Sequence, residues 1–266
     1  MEKGKKAIIF DLDDTLIMEE YGTRKAFDAT CTGIKELGEI DLEKLFRSVR
    51  RRAEELWKSF YLFDYCDDIQ VSYLEALCAD FIGDDPRLKD LHTWAPTYRK
   101  QSWYLALLDQ GIDHIVLAEK LGEKYRVERR NRCYQFPGTA PALEQLMKRY
   151  QLAMLTNGTP DLQRDKIKKA GLEDYFQVIV VSGEIGVGKP NSQIFRVVLD
   201  KLNISPESAV MVGDNLDRDI GGAKKAGITA VWFNYKKNKK AGNKEFDYEI
   251  NRLTELIDLD FSGKKS

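Results

Sequence analysis

Four short stretches carry residues suited to chemistry on an anion, and they follow one another along the 266-residue chain. They are Asp11-Leu12-Asp13-Asp14-Thr15, Thr156-Asn157-Gly158, Lys189-Pro190 and Gly213-Asp214-Asn215, the last with Asp217 and Asp219 close behind. Each alone has an ordinary structural use. Asn-Gly is a common turn pair, and acids favour a helix N-terminus. Together they supply carboxylates, a hydroxyl and an ammonium. Asp11 and Asp214 facing one another would repel unless a cation lay between them. Carboxylate and carbonyl oxygens with some water suit Mg²⁺, a hard ion that keeps part of its hydration shell. With Mg²⁺ and Lys189 offsetting charge, a phosphate dianion could approach. The Thr156 hydroxyl and nearby backbone N–H groups would bind its oxygens. Asp13, two residues beyond Asp11, could face the leaving group while Asp11 faces phosphorus. One carboxylate then serves as nucleophile and the other as proton donor, provided their surroundings separate their pKa values.

Such convergence needs elements that end at one rim. Five short apolar runs read as buried parallel strands: Ala7–Phe10, Leu152–Leu155, Val178–Val181, Ala209–Val212 and Thr229–Phe233. Helical patterns lie between them at Thr139–Arg149, Gln163–Ala170, Ser192–Leu202 and Asp217–Ala226. Alternation of this kind predicts an α/β fold, a Rossmann-like parallel sheet with helices on both faces. In such sheets ligands bind beyond the carboxyl ends of the strands, where the four stretches fall.

Residues 18–133 read differently. They hold few strand-like runs and are rich in helix formers, as in Leu42–Phe60, Ser72–Phe81 and Ile112–Arg130. The sheet pattern precedes this segment and resumes near Phe136-Pro137-Gly138. The segment is therefore expected to be a helical insertion, with residues 1–17 and 134–266 forming the core.

The four ordered motifs resemble those of the haloacid dehalogenase superfamily: DLDDT, TNG, KP and GDNLDRD. The resemblance extends over nearly the whole chain, because this family places its type 1 cap after the first motif. Within the family the chain is similar to cytoplasmic phosphatases of small metabolites. The resemblance implies an aspartyl-phosphate on Asp11, with Asp13 protonating the leaving alcohol and then activating water. It implies metal ligation by Asp11, the backbone carbonyl of Asp13 and Asp214. Thr156 and Asn157 would hold the phosphoryl group, and Lys189 would offset its charge and that of Asp11. Asp219 or Asp217 would support the metal or Lys189. The partner implied is a small phosphomonoester: phosphoserine, a sugar or sugar-acid phosphate, or a nucleotide. Rival readings are a dehalogenase, which usually lacks the second acid of the first motif, a phosphomutase, and a non-catalytic binding protein, which predicts broken motifs.

Composition narrows the field further. The formal charge of -1 gives no global field to hold nucleic acid or an anionic membrane. Cys31, Cys66, Cys78 and Cys133 form no metal-binding spacing, and reduced thiols are the simple expectation. No stretch approaches a membrane span in length, and a cytoplasmic protein is expected. His92 and His114 are expected to be structural or exposed, Tyr21 and Arg24 to be exposed hinge residues, and Lys236–Lys244 to be a solvated loop. Gly183–Gly188 lacks the phosphate-loop pattern and is expected to position Lys189.

Overall fold

The computed structural model describes residues 7–238, 245–259 and 261. Six strands form one parallel sheet: β1 (Ala7–Phe10), β2 (Gln151–Thr156), β3 (Val178–Val181), β4 (Ala209–Gly213), β5 (Thr229–Phe233) and β6 (Tyr248–Ile250), in the order β3-β2-β1-β4-β5-β6. Ile8 sits opposite Leu152 on one side and Val210 on the other. The chain order therefore reverses at β1, and crevices open at the carboxyl ends of strands beside such a switch point.

Every residue of β1 and β4 is buried. Because side chains alternate across a sheet, each strand feeds two apolar layers. Ile8, Phe10, Met154 and Val212 pack on one face against Ala142, Leu143 and Leu146 of α7 (Thr139–Leu146) and Ile167 of α8 (Pro160–Lys169). Ile9, Leu155 and Met211 pack on the other face, against Ile194, Phe195 and Val198 of α10 (Ser192–Leu202). The expected α/β architecture with helices on both faces is what the chain adopts. The short α9 (Ser182–Ile185) follows β3, and α11 (Gly222–Lys225) follows a π-helical turn at Leu216–Gly221.

Between β1 and α7 run α1 (Glu19–Cys31), α2 (Leu42–Lys58), α3 (Phe63–Asp68), α4 (Tyr73–Ala76), α5 (Pro86–Leu108) and α6 (Ile115–Arg130). They share an apolar cluster that includes Phe27, Val49, Trp57, Tyr98, Trp103 and Leu121, which Leu162 of α8 joins from the sheet side. Trp103 is fully buried and stacks on Phe27 with ring centroids 5.7 Å apart. No helix among the described residues is long and apolar enough to cross a membrane.

Several expectations shift. The helix expected over 72–81 is confined to α4, with Ser72 and Glu75 forming a capping box. Beyond it, side chains take the carbonyls that a helix would use. Arg99 Nη1 donates to Ala79 O at 3.1 Å and Arg130 Nη1 to Cys78 O at 3.3 Å. His114 caps α6, accepting from the Leu117 N–H, and His92 is exposed with Nδ1 against Asp80 O. The four cysteines are free. Of the Lys-rich stretch, 239–244 lie outside the described residues, while Lys236 pairs with Glu20 at 2.8 Å.

The chain leaves and re-enters the sheet region side by side. Ile17 bridges Gln135, Met18 N donates to Tyr134 O, and Phe136 N donates to Leu16 O. Tyr21 and Tyr134 pack edge to face. A part-buried ion pair joins Glu19, in the first turn of α1, to buried Arg129, in the last turn of α6. Burial pushes the Glu19 carboxyl up, but Arg129 and then Lys166 outweigh it and bring the group from 4.5 to about 2. Removing Arg129 leaves Glu19 with Lys166 at 3.3 Å, so Arg129→Met should lower unfolding free energy in urea by about 3 kcal/mol, the low end for a buried pair. With its folded pKa depressed, Glu19 contributes stability that is fully present above the ordinary glutamate range and lost as pH falls through about 2. The deficit of Arg129→Met should accordingly shrink on acidification, and a deficit unchanged by pH would show that Glu19 is not its source.

Candidate active site

Asp11 follows β1 directly and is 7% exposed. Both carboxylate oxygens are held: Lys189 Nζ lies 2.6 Å from Oδ1, and Thr15 Oγ1 donates to Oδ2 at 3.0 Å. Thr15 Oγ1 also accepts the Asp214 N–H at 3.1 Å, tying the loop after β1 to the loop after β4. Trp232 Nε1 on β5 holds the Asp214 carbonyl at 2.9 Å. Neighbouring strands thus fix the two acids from two directions.

Lys189 is buried and bridges two carboxylates, with Asp219 Oδ1 at 2.7 Å as its second partner. Asp219, not Asp217, is therefore the acid on this lysine. Its other oxygen accepts the Asn215 N–H at 3.0 Å. The approach depends on Gly213, where a Cβ would stand 2.5 Å from the Asp219 side chain. The widened turn at Leu216–Gly221 begins at Asn215, whose side chain caps it through the Asp217 and Arg218 N–H groups.

The carboxamide of Asn157 is spent on Lys189: Nδ2 donates to Lys189 O at 3.0 Å, and Oδ1 accepts from Lys189 N at 2.8 Å. That leaves the main chain of Asn157, rather than its side chain, to meet an anion. Gly188 N donates to Asp68 O of α3 at 2.7 Å, so the segment before Lys189 leans on the helical excursion. Thr156 is fully buried, and its hydroxyl accepts from Gln163 Nε2 at 2.6 Å.

Asp13 points toward α8. Its carboxylate takes both oxygens to Lys166 Nζ, at 2.9 and 3.0 Å, and Oδ2 also accepts from Gln163 Nε2 at 2.8 Å. Burial drives the Asp13 carboxyl well above the ordinary aspartate range; Lys166 opposes that, and Glu19 and Glu75 reinforce it. Lys166 and Gln163 are not among the site residues expected from the sequence; both are buried on the inward face of α8, which the packing of that helix decides.

Asp11, Asp13, Lys189, Asn157 and Asp214 all line one cavity of about 290 Å³; Thr156, expected to bind the phosphoryl group, is not among the lining residues, because it is fully buried with its hydroxyl against Gln163. Glu20, Thr23, Arg50, Gln70, Leu74 and Glu75 wall it from the helical side. Tyr21 is half exposed and Arg24 pairs with Asp28 and Glu43, so neither is among the lining residues. Carboxylate oxygens of Asp11, Asp214 and Asp219 lie within 4.8 Å of one another. Burial, then Asp219 and Asp11, push the Asp214 carboxyl up to about 9. Carboxylate oxygens gathered this closely are a fit for a hard divalent cation.

The family model of the haloacid dehalogenase-like hydrolases matches residues 5–227. The phosphoserine phosphatase of Thermus thermophilus is 37% identical over 229 residues, covering 85% of this chain and 88% of its own. The N-acylneuraminate-9-phosphatase of Rattus norvegicus is 31% identical over 232 residues, covering 86% and 82%. The HAD-hydrolase YfnB of Bacillus subtilis, solved bound to magnesium, superposes with a TM-score of 0.67 at 21% identity over 96% of this chain and 98% of that one, a likeness of fold. With a family model spanning residues 5–227 and relatives aligned over most of its length, the chain belongs to the haloacid dehalogenase-like hydrolases.

Proposed function

We propose that this hydrolase is an Mg²⁺-dependent phosphatase of a small phosphorylated metabolite, acting through an aspartyl-phosphate on Asp11. The observation that carries the reading is the placement of Asp11: buried, held at both oxygens, and facing the same cavity as Asp13 and Asp214. A carboxylate aimed in this way is prepared for attack at phosphorus.

Asp11, the main-chain carbonyl of Asp13 and Asp214 would hold the Mg²⁺. When bound, the ion supplies positive charge opposite the phosphoryl oxygens, lowering the repulsion a dianion meets here. Asp11 forms a bond to phosphorus as the bond to the leaving oxygen breaks, and Asp13 gives that oxygen its proton. Asp13 then takes a proton from water, whose oxygen attacks phosphorus and releases Asp11 and inorganic phosphate. Lys189 offsets charge on Asp11 and on the phosphoryl group. The main chain at Asn157 serves the phosphoryl oxygens, with the Asn157 side chain fixing Lys189 and buried Thr156 supporting the turn from behind.

Residues 18–133 act in this reading as a cap on a core of 1–17 and 134–266. The cap closes the cavity against water, and its wall, including Arg50, Gln70, Leu74 and Glu75, meets the organic part of the substrate. A volume near 290 Å³ suits a metabolite rather than a polymer. Phosphoserine, sugar or sugar-acid phosphates and nucleotides are the candidate substrates. The relatives named for phosphoserine and N-acylneuraminate 9-phosphate lie within that set.

Chelation of divalent cations should abolish phosphate release from nitrophenyl phosphate, and Mg²⁺ should restore it; undiminished turnover after exhaustive chelation would contradict the metal requirement. Asp11→Asn should fold and lose at least about a thousandfold in kcat. Full activity in that variant would place the nucleophile elsewhere. Asp13→Asn should lose about 10²–10⁴-fold on phenyl phosphate, whose leaving group needs a proton, and far less on nitrophenyl phosphate. Equal losses on the two esters would remove Asp13 from the proton-donor role.

A further inference from the structure

Lys166 is 2% exposed, yet three carboxylates surround its ammonium: Asp13 at 2.9 Å, Glu19 at 3.3 Å and Glu75 at 3.9 Å. They depend on it unequally. Glu19 is already paired with Arg129. Glu75 gives Oε2 to the Ser72 N–H at 2.9 Å, and its Oε1 stays beyond hydrogen-bond reach of the lysine. Asp13 alone presents both oxygens to Lys166. Three residues earlier on α8, Gln163 adds a bond to Oδ2 of Asp13 and spans to Thr156.

A cation among these acids is needed for stability, since removing one member of a buried ion group strands the others. Stability does not explain why Asp13 alone is gripped at both oxygens. The surroundings are also shaped around this contact. Gly158 adopts φ +140°, and a Cβ there would meet Glu75 Oε1 at 2.6 Å and the Gln163 side chain at 2.8 Å. The glycine of TNG thus leaves room for the groups that crowd around Lys166 and Gln163.

We propose that Lys166, assisted by Gln163, is a positioning residue that fixes the direction of the Asp13 carboxyl toward the leaving-group oxygen. The inference rests on the reading of Asp13 as proton donor and adds to it. An aspartate has two side-chain torsions, and its carboxyl turns freely unless both oxygens are gripped. Proton transfer requires the donor within hydrogen-bond reach of its target, so a carboxyl free to swing would slow reactions that need the proton and spare those that do not.

A series of aryl phosphates with phenols of graded acidity, assayed with Mg²⁺, separates this role from a structural one. Lys166→Met should lose about 10²-fold or more in kcat on phenyl phosphate but less than about tenfold on nitrophenyl phosphate, with little change in KM. Lys166→Arg, which keeps the charge on a wider head, should recover part of the phenyl phosphate loss. In an Asp13→Asn background, Lys166→Met should cost nothing further on phenyl phosphate, because the two act through one proton. Equal losses on both esters, or a full additional loss in the double variant, would overturn the positioning role. Should Lys166→Met fail to fold by circular dichroism, Lys166→Arg decides against wild type: the proposal requires a greater loss on phenyl than on nitrophenyl phosphate, and equal effects refute it. Asp13→Asn separates the two levels of the argument. Leaving-group dependence there with a flat response in the Lys166 variants sinks the positioning role alone; a flat response in Asp13→Asn sinks the donor and the positioning role with it.

Discussion

Three carboxylates have oxygens within 4.8 Å of one another, and the Lys189 ammonium touches two of them. Lys189 offsets one charge, shared between Asp11 and Asp219. Burial, and after it the charges of Asp219 and Asp11, drive the Asp214 carboxyl up to about 9. The rest of the architecture serves this crowding. Strand order places β1 between β2 and β4, so loops distant in sequence meet. The Thr15 hydroxyl joins two of them, and the Asn157 carboxamide fixes the lysine that partly relieves them.

The two acids of the first motif have separate escorts. Asp11 is gripped by Lys189, which arrives after β3, and Asp13 by Lys166, which arrives from α8 after β2. Each lysine is buried, and each also touches another acid. Two carboxylates two residues apart in sequence thereby acquire unlike surroundings, the condition under which similar groups take different chemical tasks.

Much of this was legible in the sequence. The first five strands stand out as short, uninterrupted apolar runs, as strands covered by helices on both faces read. The ends of those runs placed Asp11, Thr156 and Asp214 before any coordinates. β6 was missed because Tyr248–Ile250 is three residues long and only Ile250 is buried. The 23-residue α5 escaped because polar Arg99 and Ser102 are buried within it and Pro96 interrupts it, which blurs the helical stripe. Residues 72–81 looked helical by composition, but Arg99 and Arg130 come from far along the chain to claim its carbonyls. The role of Lys166 was hidden for a similar reason. Nothing local distinguishes it from Lys168 and Lys169; only the packing of α8 against the loop after β1 selects it.

The neck at Ile17 and Gln135 carries a consequence for how such a chain can change. Over a hundred residues are threaded between two points that already face one another across a β-bridge. Closing a long excursion costs only slightly more than closing a shorter one, since the entropic penalty grows with the logarithm of length. The excursion is therefore free to lengthen, shorten or be exchanged for another while β1 keeps its register with β2 and β4. Any replacement would have to restore the contacts the excursion makes below it, Asp68 with Gly188 and Glu19 and Glu75 with Lys166.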